Sequence, residues 1–146
     1  MKTYIAKDAA REARKNKISD EDLCEAIARA EKGHIDAEVG KFLIKQRMGR
    51  SGDYRAVIVY KRGDRAVFLH IFPKSRKANL SSYEKTVFRD AAKVLANLAD
   101  VHIPALTNTG EWIEIDYEKY QKDLSERPAS ISPSGDEGPP QSRRNR

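Results

Sequence analysis

One cysteine, Cys24, is all that the 146 residues contain. A lone thiol forms no internal disulfide and rules out a cysteine metal cluster. Beside Leu23 and Ile27 in a helical pattern, it reads as a buried thiol rather than a nucleophile. Long apolar runs are missing too. None approaches the ~18 residues that a membrane span needs, and the opening Met1–Asp8 carries charge at Lys2, Lys7 and Asp8 where a secretory core would be apolar. No glycine-rich phosphate loop, paired-histidine metal motif or Gly-x-Ser-x-Gly elbow is present. His34, His70 and His102 lie far apart. These absences lead us to expect a soluble cytoplasmic protein that uses neither metal nor cofactor.

Negative charge is also scarce, and in one place above all. Between Lys41 and Lys77 stand eleven basic residues and only two acidic ones, Asp53 and Asp64, a local surplus of nine in a chain whose net charge is +6. The same stretch alternates as strands do, in Tyr54–Arg62 and Arg65–Phe72. A basic patch mounted on a sheet holds a polyanion in fixed geometry, which makes nucleic acid the expected partner.

The rest of the chain organises around that sheet. Thr3–Ile5 reads as a short opening strand and residues 6–16 as a helix. Ser19 with Asp22 forms a capping box for a second helix, Ile18 and Leu23 are spaced for a hydrophobic staple, and Gly33 stands where a helix stop is expected. A strand over 41–47 comes next. Tyr54–Arg62 and Arg65–Phe72 then meet at Gly63-Asp64, read as a two-residue hairpin turn. Residues 65–72 are apolar on both parities, as in a central strand covered on both faces. Ser81 with Glu84 caps a third helix bearing Phe88, Ala91, Ala92, Leu95 and Leu98, and Glu111–Ile115 alternates as a late edge strand. Four of the six prolines fall after Ser125, with no aromatic residue among them. The expectation is an α+β domain over residues 1–123, a small antiparallel sheet with N-terminal helices and a third helix packed on it, followed by a disordered Pro/Ser/Arg tail over 124–146.

Lys45 and Arg47, two apart on a strand, share one face. Arg55 opens the next strand, and Lys74, Arg76 and Lys77 lie where the central strand enters a loop. If these strands are neighbours, the groups converge. Such a cluster suits phosphodiester cleavage: when a ribose 2′-hydroxyl attacks the adjacent phosphate, charge builds on its oxygens, and guanidinium forks stabilise it. A lysine among other cations, partly desolvated, loses its proton more readily and can take one from the hydroxyl. Tyr54, Tyr60 or Tyr83 can stack on a base. The other reading is a solvated cationic face that binds RNA, DNA or an acidic protein without chemistry. His70, placed by strand alternation on the same face as Phe68 and Phe72, reads as a core or edge histidine.

Leu43-Ile44-Lys45-Gln46-Arg47, Gly52-Asp53-Tyr54-Arg55-Ala56-Val57-Ile58, Arg62-Gly63-Asp64-Arg65-Ala66-Val67-Phe68 and Phe72-Pro73-Lys74-Ser75-Arg76-Lys77-Ala78-Asn79-Leu80 closely resemble the RelE-like toxins of bacterial type II toxin–antitoxin systems, in particular the RelE/HigB branch. Ile18–Ala26 and Gly110–Ile115 fit the same branch, so that the likeness spans roughly residues 2–118. It implies a compact α+β fold, ribosome-dependent endoribonuclease cleavage of mRNA without a metal, and neutralisation by a cognate antitoxin. Carried over by position, Lys45 and Arg47 match the pair that handles phosphate and supplies a base, and Arg55 matches the arginine that stabilises the transition state. Arg76 or Lys77 fills the place of a loop arginine. Lys41, Arg50, Tyr54, Lys74 and Tyr83 are the expected RNA-binding residues. The Arg47–Tyr54 turn is shorter than the branch's usual loop, and the C-terminal aromatic that some of these toxins need has no matched position here, Tyr83 and Tyr117 being the candidates. Two other functions compete: a ParE-like gyrase inhibitor, against which the basic set speaks, and a decayed toxin or regulator that binds without cleaving.

Overall fold

A computed structural model describes residues 1–49, 51–76 and 79–126. Along these, strands β1 (Lys2–Ala6), β2 (Ala37–Gly40), β3 (Leu43–Met48), β4 (Tyr54–Lys61), β5 (Arg65–Pro73) and β6 (Trp112–Ile115) alternate with helices α1 (Lys7–Lys15), α2 (Asp20–Glu31), α3 (Ser82–Leu95), α4 (Ile103–Asn108) and α5 (Tyr117–Ser125). The strands form one sheet in the order β2-β3-β4-β5-β1-β6. Every pairing is antiparallel except β1 with β5, which is parallel. The expected α+β architecture is therefore the observed one, with β5 central and β6 on an edge.

Two cores lie on opposite faces of the sheet, because β4 and β5 are apolar on both parities. Ile44, Ala56, Ile58 and Phe68 pack under α1, α2 and α5 with Leu23, Ile27 and Tyr117. On the reverse face Leu43, Val57, Val59, Val67 and Phe72 meet Ala92 and Ala96, together with Ile103 of α4. Local signals set the helix ends. Ser19 and Asp22 make a reciprocal capping box on α2, and Ser81 and Glu84 another on α3. Gly33, at φ 88°, takes the left-handed conformation just beyond α2, where its N–H reaches the Ala30 carbonyl at 2.9 Å.

Five features depart from expectation. The β4–β5 loop has three residues, Arg62–Asp64, rather than two: Lys61 pairs with Arg65, and Asp64 N–H closes the turn on the Lys61 carbonyl at 2.9 Å with Gly63 at φ 71°. The strand foreseen over 41–47 begins at Leu43, because Lys41 and Phe42 form its turn from β2. Neither β2 nor α4 was foreseen, and the segment after β6 forms α5 as far as Ser125. The tail from residue 127 onward lies outside the described residues.

Candidate functional site

Register brings the expected cations together. Lys45 lies opposite Val57, which lies opposite His70; one step further along, Arg47 faces Arg55, and Arg55 faces Phe72. Because Leu43, Val57 and Val59 belong to the α3-side core, alternation puts Lys45, Arg47 and Arg55 on that same face. They form its open end, past the residues that α3 covers. Lys45 Nζ donates to Asn79 Oδ1 at 3.1 Å, tying β3 to the segment that leads into α3. Arg55 is half-buried and donates through Nη1 to the carbonyls of Gly52 (2.6 Å) and Tyr54 (3.1 Å), bonds that use one nitrogen of its fork and fix its direction. Arg47 is more exposed, and its guanidinium leans to the outer edge of β3, where Nη2 lies 3.5 Å from Asp36 Oδ1.

A bulge changes the floor of this site. The β4–β5 register shifts between Val57 and Ile58, so that Val57 faces His70 while Ile58 faces Phe68, with Leu69 the extra residue. Side-chain parity flips there. Phe68 packs in the α1/α2 core and Phe72 in the α3 core, so the expectation that Phe68, His70 and Phe72 share a face is corrected. His70 stays on the Phe72 side. Its ring stacks on those of Phe72 and Phe88, each with centroids 5.4 Å away.

The other expected residues are dispersed. Lys74 follows β5, its N–H bonded to the Asp53 carbonyl at 2.8 Å, and lines a shallow cleft with Asp53, Tyr54, Pro73 and Ser75. Arg76 is exposed and lines a second cleft, of about 460 Å³, with His70, Phe72 and three α1 residues, Asp8, Arg11 and Glu12. Tyr83 stands 79% exposed on the first turn of α3. Tyr54 packs against the opposite face, its hydroxyl 3.4 Å from Asn16 Oδ1. Lys41 sits at the far end of β3, its Nζ 5.5 Å from the centre of the Phe42 ring. Tyr60 and Tyr117 are buried in the α1/α2 core, with Tyr60 bonded to Glu31, and offer no stacking surface. Arg50 and Lys77 lie outside the described residues.

Three residues with no expected role hold the site in shape. Gln46 is fully buried; its amide donates to the carbonyls of Ala26 and His34 at 3.1 Å each, and its oxygen accepts the Asp36 N–H at 2.7 Å. Asp36, so fixed, accepts the Arg47 N–H at 2.7 Å and a guanidinium nitrogen of Arg29 at 3.2 Å. Burial disfavours its ionised form, but those two donors prevail and hold the carboxyl below its usual range. Asn79 anchors Lys45. A polar residue at an inward strand position was the one available signal, and only Gln46 shows it. Among the described residues no three His, Cys, Asp or Glu side chains are grouped to hold a metal ion, and no helix is long and apolar enough to cross a membrane.

An α+β domain whose mostly antiparallel sheet ends in lysine and arginine at one open end is the class of structure that sequence likeness led us to expect. The family model for the RelE toxin of the RelE/RelB toxin–antitoxin system matches residues 1–115. The chain belongs to that family: it is the toxin of a toxin–antitoxin pair and has a cognate antitoxin as partner. No curated protein and no solved structure matches it.

Proposed function

We propose that this toxin is a ribosome-dependent mRNA endoribonuclease acting in the cytoplasm through Lys45, Arg47 and Arg55, without a metal. The observation that carries this reading is the register that sets Arg47 against Arg55, with Lys45 one step away on the same open face. An mRNA strand held across that face puts a phosphate over Arg55, whose fork is already aimed by two backbone carbonyls. The 2′-oxygen attacks phosphorus while a base, assigned to Lys45, takes its proton; the P–O5′ bond breaks, and the leaving 5′-oxygen takes a proton from a loop group, Arg76, Lys77 or water. The products are a 2′,3′-cyclic phosphate and a 5′-hydroxyl. Arg55 and Arg47 stabilise the charge that develops on the phosphoryl oxygens. Lys74, whose N–H bonds the Asp53 carbonyl at that end of the sheet, and Tyr83, with a ring open to stacking, extend the RNA contact.

The test is induced expression in a bacterial host, with primer-extension mapping of a reporter mRNA for wild type and Arg55→Ala. Growth arrest with codon-phased cuts that vanish in the variant is the expected result. Arrest without cuts transfers the protein to the gyrase-inhibitor class. Neither arrest nor cuts, with soluble protein present, makes it a binder that does not cleave.

A further inference from the structure

Arg47 does not point where its strand position sends it. Alternation directs it to the face it shares with Lys45 and Arg55, yet its guanidinium lies 3.5 Å from Asp36 Oδ1, and the side chain lines a hollow with Asp22, Glu25, Arg29 and Gly52. The chain runs past Gly52, where an added Cβ would meet Arg47 Cδ at 3.8 Å. The group that draws it is itself immobilised. Asp36 is held by Gln46 through its N–H, bonds the Arg47 N–H, and shares Arg29 with Glu25, whose two oxygens accept from Arg29 Nε at 3.2 and 3.0 Å. Arg29 also donates to the Arg47 carbonyl. Asp36 is thus a fixed anion beside a movable cation: its side chain is 23% exposed, that of Arg47 60%.

We infer that Asp36 is a stand-in for the RNA phosphate, a latch that parks Arg47 at the edge of β3 until a strand of RNA draws it onto the Lys45–Arg55 face. This inference rests on the reading of Arg47 as a phosphate-handling residue. Three observations favour a latch over a plain structural pair. The Arg47–Asp36 contact is long and open to solvent, whereas the bonds that fix Asp36 are short. Asp36 has other donors, Arg29 and the Arg47 N–H, so that it stays satisfied when the guanidinium leaves. The Arg47 backbone is pinned from both sides, which leaves the side chain alone to swing. Burial raises the tendency of Asp36 to protonate, but its hydrogen bonds overcome this, and the latch stays charged at neutral pH.

Asp36→Asn separates the two roles, because the amide oxygen still accepts the Arg47 N–H while the charge is gone. The probe is a short, fully 2′-O-methylated single-stranded RNA, which cannot be cleaved, titrated against wild type, Asp36→Asn, Arg47→Ala and the double variant over a range of salt. Asp36→Asn should bind roughly two- to fivefold tighter, the scale of an exposed ion pair. Its log K against log salt should steepen by about 0.7, one added phosphate contact. Arg47→Ala should erase both gains in the double variant. Equal affinity and slope for wild type and Asp36→Asn overturn the inference. A second measurement needs no RNA: ¹⁵Nε relaxation of Arg47 should show a less mobile side chain in wild type than in Asp36→Asn. An unchanged signal overturns the latch. If no variant binds the RNA, the free strand is no ligand away from the ribosome, and the nitrogen signal alone decides the latch.

Discussion

The sheet has two basic ends, and they differ in what their cations are bonded to. At the hairpin end Arg65 is 5% exposed and donates to the Leu95 carbonyl (2.9 Å) and to Asp100 (2.8 Å), which fastens the C-terminus of α3 to β5. Arg62 donates to the Glu31 carbonyl at the end of α2, and Lys61 to Asn97. Lys41 and Lys61 lie 5.5 and 5.7 Å from the Phe42 ring centre. Arg65, Arg62 and Lys61 each join elements of the fold, while Lys41 lies over the ring of its own neighbour. At the other end, Arg55 bonds the carbonyls of its own turn and Arg47 leans on Asp36, so their guanidinium groups remain within reach of a ligand. Both ends come from the same run of basic sequence. Charge density locates a region, and hydrogen-bond partners decide which half of it is structural.

The largest effect should come from the open end. Arg55→Ala is expected to lower ribosome-dependent cleavage by about 10²–10³, the usual consequence of removing one preorganised donor to a charged transition state. Thermal unfolding should stay close to wild type, because the bonds lost are to carbonyls of a turn. Single-turnover cleavage on stalled ribosomes, with a melting curve for each protein, measures both. A variant that melts far below wild type while its folded fraction still cleaves would assign Arg55 to the structural half.

Next in size is a response to alkali, and it belongs to the core instead of the open end. Burial, reinforced by Asp20, Asp116 and Glu21, pushes the Cys24 thiol up from 9.0 to about 12, and burial also raises Tyr4, Tyr60 and Tyr117, with Glu31 adding to the last two. Groups whose pKa is raised by folding stabilise fully below their unfolded values. That stability is lost as pH climbs toward the folded ones. Urea unfolding should therefore show stability falling between about pH 9 and pH 12. Cys24 alone contributes on the order of a few kcal/mol, which Cys24→Ala should remove from the slope. A flat profile over that range, or one that Cys24→Ala leaves as steep, would mean that these groups do not stay protonated in the fold. Arg65→Ala should cost about 1–3 kcal/mol by removing the buried bonds to the Leu95 carbonyl and Asp100, and cleavage per folded molecule should hold. Lost cleavage at full stability would blur the line between the two ends.

Local chemistry was legible where one or two residues suffice to specify it. The boxes Ser19–Asp22 and Ser81–Glu84, the stop at Gly33, central β5 and edge β6 all follow from short-range rules, and the structure has them. The strand positions of Lys45, Arg47 and Arg55 follow likewise, because strand parity is a period of two, although the Arg47 guanidinium turns aside to Asp36. Parity fails at a bulge. Nothing in Phe68-Leu69-His70 announces that Leu69 is an extra residue, and the slip turns His70 away from Phe68. Long-range partners were hidden for a related reason: Asp36 and Asn79 act on Arg47 and Lys45 from eleven and thirty-four residues away, through the sheet edge and the α3 lead-in, and no spacing rule spans such distances. The four residues of β2 were too few and too mixed in character to alternate visibly.

The smallest effect draws the boundary of the RNA path. Lys41 was among the residues expected to bind RNA, but it lies near Phe42, at the end of β3 opposite Arg47. Leu43 and Arg47 are four strand steps apart, or about 14 Å at ~3.4 Å per residue, a span that a few extended nucleotides can cover. Proximity alone therefore does not exclude Lys41, and the comparison of the two ends makes the sharper statement. With its ammonium over an aromatic face, Lys41→Ala should lower stability by about 0.5–1 kcal/mol. Cleavage and the salt dependence of RNA binding should not change. Lys74→Ala, at the open end, should leave stability alone and flatten the salt slope by about 0.7. If Lys41→Ala instead flattens that slope as much as Lys74→Ala does, the RNA runs the full length of β3, and the closed end joins the site.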